Sequence, residues 1–492
     1  MKYRLWASLL YFALITSLLS QTQWSTPVQL SRDGTYPDLG FIYPAITVDQ
    51  DGIIHGFWVV DISADGSTVN RFSQIEYRKS NDGGVTWAPT ENLTPEYSTE
   101  RIYNIKAVCD SKGNVHLVYS RGSEACKVLY KKYDGVSWSA PYEIYPSAGS
   151  HLRLGIDFKD RIYAVWNTVG NYYSYCDTNQ VNPLWSPARR LHPTRDHFLK
   201  DMTFDKNNNV HAIGLICEIE DEYRPYYYYF DREIDDWTVC TEISSYKEKA
   251  LGNAIALSNS DTLYANVAVG NTLCLNTDNH LKKSTNDSLW SIPYAYGNNN
   301  NWDREMYIDQ NNYLHLFEKH YYQGVTTGDT GLIHSTGKNG VWHSIEIDSE
   351  PGYSYTEPSV VFDKQRQIFY TIYYKFDRTN SISRIYFQSK QNDTGIDESD
   401  YTIVKDFELH QNYPNPFNNS TQIQFRLEKA SNVELNIFNS KGEFVHNLIE
   451  DKLNKGNHSY TLKAVEINSG IYFYRLTVDG ISSETRKMLY LR

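Results

Sequence analysis

Apolar residues along the chain come in short runs broken by Gly, Asn and Asp, the pattern of strands joined by tight turns. Two of these runs belong to motifs that recur in phase. In the first, Trp24, Trp87, Trp138, Trp185, Trp237, Trp290 and Trp342 each open a short strand. An apolar or aromatic residue usually stands six positions later, as in WSTPVQL, WAPTENL and WSPARRL. In the second, an Asp is followed six residues later by His, Tyr or Phe, with an aliphatic residue just before it. The pairs are Asp49/His55, Asp110/His116, Asp157/Tyr163, Asp205/His211, Asp309/His315 and Asp363/Phe369, with Ser258/Tyr264 as the seventh copy. Each reads as a strand, a turn carrying Gly, Asn or Asp, and a second strand.

The Trp residues are 63, 51, 47, 52, 53 and 52 positions apart. Seven in-phase copies at this period predict an all-β, seven-bladed β-propeller of four-stranded blades. A six-bladed count is the alternative. The first Trp strand precedes the first Asp motif, and no Trp strand follows the last one. Trp24 to Leu30 is therefore expected to pair into the last blade and close the ring, hiding edges that an open sheet would expose. Composition agrees: 14% of residues are aromatic, 41 of them Tyr, which favours strands. Tyr also offers flat faces for stacking on sugars. The net charge is −12 with no basic stripe, which argues against nucleic acid as a partner.

Ser80-Asn81-Asp82-Gly83-Gly84-Val85-Thr86-Trp87 fits S-x-D-x-G-x-T-W. This resembles the Asp box, or BNR repeat, of sialidase-like propellers, with Ser80, Asp82, Gly84, Thr86 and Trp87 as its structural residues. Degenerate copies lie near Asp134 to Trp138 and Gly340 to Trp342. The resemblance implies fold, since in that family the box lies away from the active face.

Composition shifts after Lys390 to a polar, acidic linker, 391–407. From 408 to 492 the chain resembles the type A C-terminal sorting domain of type IX secretion. The resemblance rests on Tyr413-Pro414-Asn415-Pro416-Phe417, on the strand VELNIFNSKGEFV with Gly442, on Gly456 in a turn, on Ser469-Gly470-Ile471-Tyr472, and on Lys487-Met488. Asn419 stands where many members have Pro. Alternating strands broken by turns predict a small Ig-like sandwich. The resemblance implies the type IX machinery as partner and an address at the outer-membrane cell surface of a Gram-negative bacterium, or release from it. The N-terminus fits this. Lys2 and Arg4 precede an apolar run from Leu5 to Leu19, so residues 1–20 read as a signal peptide and 21–390 as the propeller. An uncleaved anchor is the alternative. No later stretch is apolar enough for a transmembrane segment.

Six Cys (109, 126, 176, 217, 240, 274) allow fifteen pairings, and no spacing singles one out. There is no C-x-x-C and no His/Asp cluster with ligand spacing, so neither a metal nor another cofactor is expected.

Ligands of propellers usually sit at one mouth of the channel, where chain enters each innermost strand and where the second and third strands join. Residues just before the Asp motifs there include Arg101, Tyr103, His151, Arg153, His197, Lys200, Asp201, Asp303, Arg304, Glu305, Tyr355 and Glu357. The second-to-third-strand loops add Arg121, Glu318 and His320. Charges beside crowded inner strands call for a reason, because burial is costly. A ligand pocket is one; solvated or ion-paired side chains are the other. Sialidases hold a sugar carboxylate with three Arg, a choice that suits bidentate geometry. The resemblance would cast Arg101, Arg153 and Arg304 in that role. The F/Y-R-I-P segment of that family is missing, however: Tyr43-Pro44-Ala45-Ile46 stands there without Arg. Two readings stay open. One is a surface module binding extracellular glycans or proteins. The other is a glycoside hydrolase or polysaccharide lyase for acidic polysaccharide, with His151, His197 or Tyr355 as base or a carboxylate pair from Asp201, Asp303, Glu305 and Glu357. The recurring His55, His116, His211 and His315 share one structural position and are expected in the core.

Overall fold

The computed structural model describes residues 23–491 except 36–38, 64–70, 96–99, 123–125, 149–150, 169, 180–183, 192–196, 220–221, 244–248, 271–275, 285–289, 291–293, 299–303, 322–329, 339–340, 357, 393–406, 428–429, 440–443, 464–467 and 479–481. The expected signal peptide and most of the linker therefore lie outside the described residues. Every regular element among those described is a β-strand. Among the described residues no helix is long and apolar enough to cross a membrane. The chain divides into two compact units, 1–259 with 301–338 and 342–394, and 260–300 with 339–341 and 395–492.

In the first unit each repeat folds as an antiparallel sheet whose strands follow chain order. Repeat 1 uses Leu39–Val48, Ile54–Ser63, Arg71–Ser80 and Glu91–Asn92. Repeat 2 runs from Arg101–Cys109 to Tyr142–Ala148, and repeat 3 from Leu152–Ile156 to Arg189–Arg190. Repeat 4 runs from His197–Phe204 to Asp236–Glu242, and repeat 6 from Glu305–Ile308 to Val341–Asp348. Repeat 7 pairs Tyr353–Tyr355 and Ser359–Asp363 with Ile368–Asp377, which pairs with Ile382–Gln391.

The N-terminal segment joins this last sheet. Val28 lies opposite Phe387 and Gln29 opposite Tyr386. Ser25 N donates to Ser389 O at 2.8 Å, and Leu30 N to Ile385 O at 2.8 Å. Trp24 packs edge-on against Phe317 of repeat 6, at 6.0 Å between centroids.

The second strand of repeat 1 is buried on both faces. Along Ile54–Ser63 the first eight residues are buried. Phe57 and Val59 pack into one cluster with Ile102, Leu117 and Tyr119 of repeat 2. Trp58 and Val60 face the other way, into a cluster with Tyr370, Ile372 and Phe387 of repeat 7. Since side chains alternate along a strand, a sheet packed on both sides needs an unbroken apolar run. Similar clusters join repeats 2 and 3, 3 and 4, and 6 and 7. Fully burying one such side chain contributes roughly 1.5–3 kcal/mol.

The Asp motif makes the turn between the first two strands. Asp110 Oδ1 accepts from the backbone N–H of Lys112 and Asn114, both at 2.9 Å, and Oδ2 accepts from Asn114 Nδ2 at 2.7 Å. His116 then places Nε2 3.1 Å from Asp110 Oδ2 and Nδ1 2.8 Å from the Tyr130 hydroxyl. Asp49–His55–Tyr77 and Asp205–His211–Tyr227 repeat the arrangement, and His334 stands in for the Tyr in repeat 6. The four histidines are buried. Repeat 3 has Tyr163, and there Arg232 of repeat 4 pairs with Asp157 instead.

The eight-residue turn of repeat 1 is held by its own side chains. Ser80 Oγ donates to Asp82 Oδ1 at 2.8 Å and accepts from Gly84 N at 2.9 Å. Asp82 also accepts from Thr86 N at 2.9 Å, and Trp87 Nε1 donates to Gly84 O at 3.0 Å. Gly84 has φ of 92°, and a Cβ there would lie 2.0 Å from a ring carbon of Phe387. Only glycine meets both conditions.

In the second unit, Thr262–Gly270, Asn276–Ser284 and Tyr294–Asn298 pair in succession. The tail forms a three-stranded and a four-stranded sheet that share one apolar cluster including Ile423, Phe425, Leu435, Tyr474 and Met488. Ser420–Leu427 alternates buried and exposed positions, as a strand with one wet face should. The Pro414–Pro416 segment braces the last strand. Asn415 Oδ1 accepts from Leu489 N at 2.8 Å, and Lys487 O accepts from Asn415 Nδ2 at 3.2 Å. Gly470 opens the strand Gly470–Val478, and Gly442 lies outside the described residues.

Cys109, Cys126 and Cys176 are free thiols; the side chains of the other three cysteines lie outside the described residues. Burial pushes the Cys109 and Cys176 thiols up to about 12.

Candidate functional site

Among the described residues of the first unit, three gatherings of charged side chains take in candidates from the sequence. The first lies where repeats 1 and 2 adjoin. Asp61, near the end of the second strand of repeat 1, is buried. It pairs with Arg71, accepts from Ser73 Oγ at 3.0 Å, and accepts from Arg101 Nη2 at 3.2 Å. Arg121 pairs with Glu100 at 2.8 Å, and Glu100 O accepts from Ser73 N. The Arg101 side chain is 40% exposed and its guanidinium lies 5.8 Å from the Tyr103 ring centroid.

Tyr43 completes this cluster. It sits at a bulge between Ile42 and Ala45, has φ of 48°, and is 42% exposed. A bulky residue in the left-handed region is strained, and such strain persists only where surrounding structure imposes it. Desolvation raises the Tyr43 phenol above its usual pKa. The Arg101 charge opposes this, and Asp61 and Tyr103 add to it.

The second gathering follows a register. The residue four before each motif Asp is Lys106 in repeat 2, Arg153 in repeat 3, Asp201 in repeat 4 and Glu305 in repeat 6. Ala45, Ala254 and Ser359 hold the same position in repeats 1, 5 and 7. The four charged residues feel one another: Arg153 lowers and Glu305 raises the Asp201 pKa, while Lys106 and Arg153 lower that of Glu305. Desolvation outweighs the favourable contacts, so Asp201 rises to about 7 and Glu305 also rises.

These side chains also tie first strands together. Asp201 Oδ2 accepts from Ile255 N at 2.9 Å, and Glu305 Oε2 from Val360 N at 2.9 Å. Arg153 Nε donates to Lys200 O at 2.5 Å. Tyr307, two residues after Glu305, donates to Val360 O at 2.6 Å, with Glu305 Oε2 at 3.1 Å from its hydroxyl.

The third gathering joins repeats 6 and 7. Tyr355 pairs across the sheet with Lys375. The Lys375 Nζ lies 3.2 Å from Asp348 Oδ2 and 2.8 Å from Glu350 Oε1. Tyr355 donates to Asp348 Oδ1 at 3.0 Å and Tyr373 to Oδ2 at 2.7 Å. Burial opposes the Lys375 charge, but Glu350 and Asp348 outweigh it and hold its pKa above the usual lysine value.

The sequence-based candidates thus separate. Arg153, Asp201 and Glu305 come together, joined by Lys106 and Tyr307, which sequence reasoning missed although the four-residue offset marks Lys106. Arg101 belongs to the Asp61 cluster, where Tyr43, Asp61 and Arg71 were also missed. Arg304 pairs with Glu318 at 3.2 Å, both fully buried. Each of the three expected arginines is committed to a different partner. His151 is exposed and lies edge-on to Phe198 at 6.0 Å. Tyr355 is buried. Asp303, Glu357 and the side chains of His197 and His320 lie outside the described residues.

Residues 411–490 match the family model described as a secretion system C-terminal sorting domain. This domain indicates export by type IX secretion, to the cell surface or into the medium. No curated protein matches the chain. Among solved structures, a polysaccharide lyase of family PL25, an ulvan lyase bound to -[GlcA(1-4)Rha3S]-, is similar with TM-score 0.51 and 11% identity. The match covers 73% of this chain and 96% of that one. The NanB sialidase of Streptococcus pneumoniae has TM-score 0.43 and 12% identity, covering 75% and 71%. A Trypanosoma rangeli sialidase mutant has TM-score 0.45 and 10% identity, covering 96% and 91%. At 11% identity the likeness to the lyase speaks to fold alone.

Proposed function

We propose that the sorting domain exports a seven-bladed propeller whose mouth binds an extracellular acidic glycan. Seven in-phase repeats, the docking of Val28–Gln29 on the last sheet, and the apolar cluster shared by repeats 7 and 1 support seven blades closed by the N-terminal strand. The 391–407 linker would then separate this propeller from an Ig-like sorting sandwich. The observation that carries the binding site is Tyr43, a residue 42% exposed whose backbone is held at φ of 48° and whose phenol feels the Arg101 charge. An exposed aromatic face stacks on a sugar ring, and a guanidinium beside it meets a carboxylate or sulfate. Glycans bound by a rigid surface of this kind need no catalytic group.

The test is retention of the mature protein by acidic and neutral polysaccharides in affinity gels. Tyr43→Ala and Arg101→Ala are each expected to weaken retention about tenfold, the equivalent of about 1.4 kcal/mol. Unchanged retention in both variants would remove the site.

Asp201 favours a second reading, a glycoside hydrolase or lyase. A carboxyl that titrates near 7 is poised for proton transfer. Both of its oxygens already accept backbone N–H groups, however, from Met202 and Ile255. New reducing ends or unsaturated uronate in a polysaccharide digest would favour this reading, and Asp201→Ala should then abolish them.

A further inference from the structure

We propose that Lys375 and Asp348 are joined by an intramolecular isopeptide bond, formed by the protein itself, that staples repeat 6 to repeat 7. This site is separate from the glycan site and does not depend on it.

The reactants are in place. Lys375 Nζ lies 3.3 Å from Asp348 Oδ1 and 3.2 Å from Oδ2, so it contacts both oxygens of the carboxyl group. Nζ is thereby held against both oxygens of the group whose carbon it would attack, and holding the two partners together removes much of the entropic barrier. Both side chains are only 6% exposed. The rings of Tyr353, Tyr355 and Tyr386 surround the ammonium at 4.7, 5.5 and 5.4 Å and limit water around it. The Tyr355 and Tyr373 hydroxyls donate to the two Asp348 oxygens. Donors at both oxygens make the carbon more electrophilic and stabilise the oxyanion of a tetrahedral intermediate. Glu350 Oε1 sits 2.8 Å from Nζ, and its side chain is 54% exposed. It can take a proton from the amine and pass it to the leaving oxygen, with an open side through which water departs.

The step balances without any co-reactant. The ion pair is the unreacted state. Glu350 accepts a proton from the Lys375 ammonium, and the freed lone pair attacks Asp348 Cγ. The Nζ–Cγ bond forms and one Cγ–O bond breaks. That oxygen leaves as water, carrying two of the three ammonium protons, and Glu350 ends as it began. Two buried opposite charges become one neutral amide, which removes the cost of keeping an ion pair out of water. The bond would join Val341–Asp348 to Ile368–Asp377, beside the sheet on which the N-terminal segment docks.

The experiment is an intact-mass measurement of the purified full-length protein under denaturing conditions, followed by tryptic mapping. The expected mass is about 18 Da, one water, below that of the processed chain. The expected map has no cleavage after Lys375 and one branched species joining the peptides 339–364 and 367–378. Lys375→Arg should restore the full mass, and Glu350→Gln should leave a mixture of linked and unlinked chains. A wild-type mass equal to that of the chain, with free cleavage after Lys375, would overturn the proposal and leave an ordinary ion pair. That outcome needs no variant to fold.

Discussion

Two layers of the repeats, four residues apart on the same strands, behave in opposite ways. At the turn, the motif Asp is bound by the same backbone groups from one repeat to the next, and His or its substitute faces it. Four residues earlier the seven repeats carry Ala, Lys, Arg, Asp, Ala, Glu and Ser. The turn layer solves one folding problem in the same way in repeats 1, 2, 3, 4 and 6. The earlier layer has no common local task, so its charges reflect what lies across from each strand. Repetition in this chain therefore marks structure, and a departure from repetition marks where individual chemistry sits.

The largest effect should come from breaking the repeated layer. Asp110 is buried and accepts from two backbone N–H groups, Asn114 Nδ2 and His116. Asp110→Ala leaves those donors without their acceptor and should cost about 3 kcal/mol or more. Urea denaturation followed by tryptophan fluorescence measures this. Glycan retention by the variant that remains folded should equal that of the wild type. A selective loss of retention would place the turn layer in the site and blur the contrast.

The same contrast explains what could be read in advance. The repeated antiparallel sheets, the N-terminal pairing onto the last of them and the sorting tail rest on fixed spacings or local motifs, which linear sequence preserves. The core role of His55, His116, His211 and His315 followed from their shared offset. Partners of Arg101, Arg153 and Arg304 did not, because each comes from another strand or another repeat. Arg304 meets Glu318 across its own sheet, Arg153 meets the carbonyl of Lys200 in the next repeat, and Arg101 meets Asp61 in the preceding one. Asp61 and Arg71 flank a second-to-third-strand loop far from any Asp motif, so no offset pointed to them. Tyr355 reads as a loop residue, but its pairing opposite Lys375 takes it into a buried cage.

Acid and base should act on the two layers with opposite sign. Burial alone would raise the Asp205 pKa, but His211, the Asn209 side chain and the Asn209 N–H together lower it to about 2. Its folded pKa lies below its unfolded one. It therefore stabilises the fold above about pH 4, by about 2 kcal/mol, and that contribution is lost as pH falls towards 2. Asp201 runs the other way. Its folded pKa near 7 exceeds the unfolded value of 3.8, so its contribution is complete below about pH 4 and is lost as pH rises through 7. Denaturation titrations should show Asp205→Asn losing its deficit against wild type in acid, and Asp201→Ala gaining on wild type between about pH 5 and pH 8. Parallel slopes for the two variants would mean that the layers do not differ electrostatically.

The smallest effect on stability, and the sharpest on function, is expected at Tyr43. Left-handed backbone costs a non-glycine residue about 1–2 kcal/mol, and glycine adopts it freely at an entropic cost of about 0.5–1 kcal/mol. Tyr43→Gly should therefore change unfolding free energy by no more than about 1 kcal/mol, with relief of strain as the favoured direction. Tyr43→Ala keeps the strain and should be the less stable of the two. Both remove the ring beside Arg101, so both should lose glycan retention to the same degree. If Tyr43→Gly is stabilised and still retained, the ring is strained for a reason of packing, and the exposed position belongs with the repeated structural layer after all.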